Sequence, residues 1–444
     1  MRTLLALTSL SLLALALPAP APTHYELKQK FVLGGDGGWD YLTYDSTGKR
    51  LFISRSTHVI VVNPADGSSL GDIPNTPGVH GIALAQDLGK GFTSNGRENT
   101  VTVFDLKTLK ETARIKLDGA ENPDAIMYDP VSKHVFTFNG RSHNATAIDA
   151  KTDKVISNIP LDGKPEFAVP DGKGTVFVNI EDKSELTSID AANAAVLKTW
   201  PLTGCEEPSG LAIDQKGRRL FAGCGNKVMA ILNADTGKVV ATVPIGQGVD
   251  ANAFDPQSKL AFASNGEGTL TVVHEDSADK YSVVENAPTQ RSARTMALDP
   301  TTHNVYLVAA EIEEAPPAKE GERPRRTIKP GTFTLLVMSP SGAAAEKLTK
   351  KTESKSNAAV AGSNKEAESL YKSKCQGCHG ADGAGSTAGK SLGVKPFSSA
   401  EVSGQSDSQL IAATANGKGK MPAFKGKLSD DQISSLIKYI RALK

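Results

Sequence analysis

Residues 209–243, SGLAIDQKGRRLFAGCGNKVMAILNADTGKVVATV, read as four short apolar strands: Ser209–Asp214, Leu220–Ala222, Val228–Ile231 and Val239–Val243. Turn residues bound each run, and Asp235-Thr-Gly237 between the last two is a hairpin signal. One such sheet buries neither face by itself, so the pattern demands neighbours. The chain supplies them. The first strand recurs as Trp39–Asp45, His80–Ala85, Asp124–Asp129, Glu166–Asp171, Asp250–Asp255 and Arg294–Asp299, and with Asp214 the closing residues stand 40, 44, 42, 43, 41 and 44 positions apart. A period near forty denotes a propeller or a solenoid. Seven units of four strands predict an all-β seven-bladed propeller, with an eight-bladed ring or an open solenoid as the competing arrangements. The last unit offers strands near Val305–Val308 and Thr332–Val337 but no clear fourth, while Tyr25–Val32 precedes the first unit unpaired. The expectation is that this N-terminal strand completes blade seven and closes the ring, which protects strand edges.

At 444 residues the chain exceeds what one core usually covers, and its 41 glycines suit many tight turns. A net charge of +1 gives no reason to expect nucleic acid as a partner. Residues 1–22 carry Arg2, an apolar run from Leu4 to Leu17 and then small residues, the pattern of a cleaved secretory signal. That run is too short for a membrane anchor. The chain is therefore expected in the periplasm or otherwise exported, in an oxidising compartment. The expected domains are a signal peptide at 1–22, the propeller at 23–340, an Ala/Ser/Lys-rich linker at 341–362 and a small all-α domain at 363–444.

Three helices in that last domain are signalled by a serine with Glu or Gln three places on: Ser363 with Glu366, Ser406 with Gln409, and Ser429 with Gln432. The final helix aligns Ile433, Leu436, Ile437, Ile440 and Leu443 along one face. Directly after the first helix stands Cys375-Gln-Gly-Cys378-His379, the attachment motif of c-type haem. Thiols three positions apart can form thioethers to the two vinyl groups, and the adjacent histidine then becomes an axial iron ligand. A redox CxxC pair or half a zinc site is the alternative, but the domain holds no further Cys or His.

Residues 363–444 resemble the small class I cytochromes c, through this motif, Gly380-Ala-Asp-Gly383 and the loop Gly417-Lys-Gly-Lys-Met421-Pro-Ala-Phe424. The resemblance implies one covalent haem c and Met421 as second axial ligand, set against the ordinary use of methionine as core filling. It also implies a redox partner protein. The domain carries 12 Lys and Arg against 7 Asp and Glu, and Lys418, Lys420, Lys425 and Lys427 flank Met421, a collar able to steer an acidic partner. Residues 24–340 resemble the YVTN-type propellers of bacterial exported proteins, through Arg50–Ser54, Asn233–Lys238 and Ile245–Asp250. That resemblance carries fold better than function.

Five places before the aligned strand ends stand Asp40, His80, Asp124, Glu166, Ser209, Asp250 and Arg294. Entering the innermost strands, they are expected to ring one mouth of the central channel. Ordinary turn residues beside a wet channel would give the same list. Four carboxylates near one His and one Arg are also a set able to hold a second metal or polarise a small-molecule substrate, which makes His80, Asp124, Glu166, Asp250 and Arg294 the candidate catalytic residues. The insertion Glu311–Pro330 should lie on the same face, as a lid or docking loop. Two function classes stay open: an oxidoreductase whose channel-mouth site feeds the haem, or a binding propeller tethered to an electron-carrier cytochrome. Haem consumes two of four cysteines, so Cys205 and Cys224 are expected to be bonded to each other.

Overall fold

The computed structural model describes residues 24–315, 325–342, 365–405 and 407–443. The expected signal segment lies outside them, as does the expected linker from residue 343 on, Ser341 still belonging to a propeller strand. The chain divides into two compact units, 1–348 and 349–444.

The first unit is a seven-bladed propeller of four-stranded antiparallel sheets. Blade five shows the plan, with Pro208–Asp214 innermost, then Arg219–Cys224, Val228–Asn233 and Val239–Pro244 outermost. Its second strand is buried throughout, because neighbouring blades cover both faces, whereas an outer strand such as Ala195–Pro201 in blade four is mostly exposed. The aspartate that closes the aligned inner-strand segment in six of the seven blades has a local cause. Asp45 accepts from the Thr47 and Gly48 amides at 3.0 and 2.8 Å, and Asp214, Asp255 and Asp299 each accept from the amide two residues on. This Asx-turn reverses the chain into the second strand.

Each inner strand touches the next, and Leu42–Asp45 of blade one meets Met296–Leu298 of blade seven, so the ring closes. The closing strand is N-terminal. His24–Val32 pairs antiparallel with Thr334–Ser341 as the outermost strand of blade seven. The Tyr25 amide donates to Glu285 at 2.6 Å, and the Tyr25 hydroxyl to the His303 carbonyl at 3.0 Å. Two inner strands are shorter than the sequence predicts. Strand structure begins only at Leu42 in blade one and at Met296 in blade seven, so Asp40 and Arg294 stand in the loops that enter them. The 311–330 insertion leaves blade seven between its second and third strands and contains the paired strands Ile312–Ala315 and Arg325–Ile328.

Cys205 and Cys224 are joined, with Cα atoms 5.4 Å apart and a sequence separation of 19. A crosslink closing a loop of this length contributes on the order of 3 kcal/mol by restricting the unfolded chain.

The second unit is helical: residues 365–374 (α1), Gln376–His379 (α2), Thr387–Ser391 (α3), Ala400–Ser403 (α4), Asp407–Asn416 (α5) and Asp430–Ala442 (α6). Ser429 caps α6 in a complete capping box with Gln432. The other two expected caps, Ser363 and Ser406, lie outside the described residues. Ile433 and Leu436 are buried against Tyr371, Cys375, Phe424 and Leu428, with Ile440 and Leu443 packed at the edge, and Ile437 is buried as well.

Candidate functional site

In the helical unit, Cys375 ends α1, its amide donating to the Tyr371 carbonyl at 2.9 Å. Cys378 and His379 follow within α2, so the two thiols and the imidazole sit on consecutive turns. Neither thiol is in a disulfide; Cys375 is buried and Cys378 exposed. Burial, then the nearby Cys378, pushes the Cys375 thiol up to about 11. The His379 ring lies on Phe397, centroids 4.8 Å apart, and its buried Nδ1 has no hydrogen-bond partner. Burial lowers the His379 pKa, favouring the neutral, ligating form.

These three side chains line a cavity of about 380 Å³ whose other walls include Leu410, Thr414, Met421, Leu436, Ile437 and Ile440. Met421 is placed by a tight turn in which its amide and that of Lys418 exchange bonds with each other's carbonyls at 3.1 and 3.2 Å. Gly417 makes the turn possible: its φ is +77°, and a Cβ there would lie 2.7 Å from the Met421 carbonyl oxygen. Gly389 has the matching role on the other side, where a Cβ would stand 1.9 Å from the Cys378 carbonyl oxygen. The donor set is two thiols, an imidazole with an orphaned nitrogen and a thioether, around an apolar cavity. It fits a haem. Lys374, Lys395, Lys418 and Lys420 border this cavity and are exposed.

In the propeller, six of the seven aligned polar residues are joined by contacts among themselves, and the seventh, Glu166, is held by Lys164. His80 Nδ1 lies 2.7 Å from Asp40 Oδ2 and 3.6 Å from Asp124 Oδ1. Arg294 bonds Asp250 closely and reaches Asp40 Oδ1 at 3.5 Å, while the Ser209 hydroxyl lies 3.3 Å from Asp250. Glu166 is held by Lys164 at 2.5 Å, and Lys164 also bonds Glu181. Burial alone would lower the His80 pKa, but the Asp40 hydrogen bond and the charges of Asp124, Asp40 and Glu166 outweigh it and raise it. Burial, opposed by His80 and aided by Asp40, pushes Asp124 up to about 6. Asp250 is likewise pushed to about 6 by burial against the pull of Arg294, and Glu166 to about 8 by burial and by Asp124.

Reading the sequence missed three participants. Lys164 and Glu181 answer Glu166, and the first stands only two positions from it, a spacing that was legible. Tyr41 was not legible. Its ring leaves blade one and packs on Phe167 of blade four at 5.1 Å, so the pair spans the channel beneath the ring of carboxylates. Tyr41 and Phe167 also border a second cavity of about 360 Å³ along the inner strands of blades one to four.

The raised carboxylates imply a pH dependence. A carboxyl whose folded pKa lies above its unfolded value near 3.9 favours the fold when neutral, so this contribution is full below about pH 4 and is lost as pH rises through about 6. In chelator-containing buffer Asp124→Asn should therefore raise stability relative to the parent at pH 7, by about 1–2 kcal/mol after discounting for partial exposure, and change it little at pH 4. Thermal melts of both proteins at the two pH values check this, and an equal effect at both would remove the electrostatic explanation.

Residues 362–440 match the family described as cytochrome C oxidase, cbb3-type, subunit III. The chain is 36% identical over 72 residues to a cytochrome c6 of Leptolyngbya boryana, covering 16% of this chain and 81% of that protein. Among solved structures, a chain of a mitotic checkpoint complex superposes with a TM-score of 0.58 at 14% identity, covering 76% of this chain and 99% of its own. U3-55K superposes with a TM-score of 0.58 at 8% identity, over 70% of this chain and 99% of its own. At such identities these two likenesses bear on fold alone. Among the described residues no helix is long and apolar enough to cross a membrane.

Proposed function

The chain belongs to the cytochrome c family through its C-terminal unit, which makes it an electron-transfer haem protein, and on that premise we propose how each unit contributes. In the helical unit Cys375 and Cys378 would hold a single haem c covalently, and His379 and Met421 would ligate its iron. When bound, that group supplies one-electron exchange, and methionine ligation sets a high potential. The observation that carries this reading is the convergence of all four side chains on one apolar cavity. The residues around it have plain tasks. Phe397 fixes the imidazole plane, Gly417 aims the methionine, and the α6 face of Leu436, Ile437 and Ile440 excludes water. The exposed lysines at the border present a positive edge to an acidic redox partner.

The propeller, in the same proposal, supplies a substrate or metal site at the mouth formed by Asp40, His80, Asp124, Glu166, Asp250 and Arg294, and electrons gained there pass to the cytochrome unit. The half-buried, mutually bonded arrangement of these groups supports a site over a simple wet channel lining, since ionisable groups are costly to gather in this way. Export fits the N-terminal segment and the Cys205–Cys224 bond, which persists in oxidising compartments.

The axial assignment is tested with Met421→Ala. Haem should remain attached, while the methionine-to-iron charge-transfer absorption disappears and the potential falls by a sizeable fraction of the roughly 0.8 V that axial ligation commands. An unchanged spectrum would reject Met421 as ligand.

A further inference from the structure

The propeller mouth brings together one nitrogen and two oxygen donors from three successive blade entrances. Asp40, His80 and Asp124 occupy equivalent positions ahead of or within the inner strands of blades one, two and three, and those inner strands pack against one another. One ligand atom from each lies within 4.8 Å of the others. His80 Nδ1 faces both carboxylates, at 2.7 Å from Asp40 and 3.6 Å from Asp124. A single N–H satisfies only one of them, whereas a cation among the three satisfies all.

We propose that Asp40, His80 and Asp124 bind one divalent first-row transition-metal ion at the channel mouth. The proposal rests on the reading of this mouth as a substrate or metal site and gives that site its chemistry. Donors bound at about 2.0–2.2 Å from one ion stand roughly 3–4.4 Å apart, so the three atoms need only small adjustments, the chief one a widening of the 2.7 Å between His80 Nδ1 and Asp40 Oδ2. The neighbouring cations are already engaged: Arg294 with Asp250 and with the other oxygen of Asp40, Lys164 with Glu166 and Glu181. Two carboxylates and one imidazole form a mixed set that suits zinc or manganese, in contrast to the all-oxygen shells of calcium and magnesium. Three protein donors leave positions open for water or for an oxygen-bearing substrate, as in catalytic sites. The site is also shaped for it. Gly96 leaves room for the imidazole, since a Cβ there would lie 2.8 Å from His80 Nε2, and the Tyr41–Phe167 pair closes the channel beneath.

The test uses the full chain loaded with haem, so that Cys375, Cys378 and His379 are not free to take up the probe. After chelator treatment it is dialysed against Zn²⁺ or Mn²⁺, with Mg²⁺ in excess, and analysed for metal per chain. One Zn²⁺ or Mn²⁺ per chain is expected. His80→Ala and Asp124→Asn should each weaken binding beyond the roughly 10–100-fold that loss of an outer-sphere partner costs. Asp66→Asn, an exposed turn residue of blade one outside the site, should leave it unchanged. A parental chain with native circular dichroism that takes up neither ion overturns the proposal, as does full binding by both ligand variants. If binding fails while the mouth variants still lose substrate-driven haem reduction, the metal is overturned and the substrate site stands.

Discussion

Exchanging both Cys375 and Cys378 for Ser should abolish covalent haem: a denaturing gel stained for haem should show no signal, and the intact mass should equal that of the bare polypeptide. The reason is chemical. A thioether needs a sulfur at each position, and serine keeps the shape of cysteine without that capacity. The surrounding structure gives the variant little cause to lose its helices before haem insertion, because the α1 to α2 turn is held by backbone bonds, from the Cys375 amide to Tyr371 and from the His379 amide to Cys375, each at 2.9 Å. The single variant Cys378→Ser leaves the buried Cys375 thiol and should keep haem through one bond. Haem persisting on the double variant after denaturation would show that the attachment lies elsewhere. The propeller serves as an internal control, since its Cys205–Cys224 bond should be present in every variant.

His80→Ala or Asp250→Ala should abolish reduction of the haem by a small-molecule electron donor that reduces the parental protein, with haem content retained. The expectation follows from how many partners each residue holds. His80 is the group on which Asp40 and Asp124 converge, and Asp250 is the anchor of Arg294 and Ser209. Removing either leaves charged neighbours misplaced by distances that matter to a bound substrate. From position alone these residues look like loop positions costing within about 0.5 kcal/mol on substitution. The structure places them half-buried and hydrogen-bonded, so about 1–3 kcal/mol is the better expectation, still small beside the seven blades that hold the ring. If both variants reduced haem at the parental rate, the mouth would be ordinary channel lining and the propeller a binding module.

Much of the architecture was legible because its signals are local. The seven strand repeats, the Asx-turn aspartates and the unpaired Tyr25–Val32 segment were enough to count blades and to find the closing strand. The Ser429 cap and the apolar face from Ile433 marked α6, and Cys375, Cys378 and His379 marked a haem site from five consecutive residues. Register also singled out the polar residues at equivalent blade entrances, six of which the structure joins by side-chain contacts.

The sequence by itself thus determined the repeat, the register and the presence of a cytochrome c unit, each of which is set by spacing within a few residues or by a fixed period. What the mouth residues do to one another was decided only by tertiary structure. His80 choosing Asp40 and Asp124, Arg294 reaching from the seventh blade to Asp40, and Tyr41 crossing to Phe167 are contacts between segments about forty to more than two hundred residues apart. Their geometry depends on the angle between blades and on where the closed ring sets the channel width. The extent of burial that raises Asp124 and Asp250 has the same origin, because desolvation at the mouth is a property of the assembled ring and of no single strand.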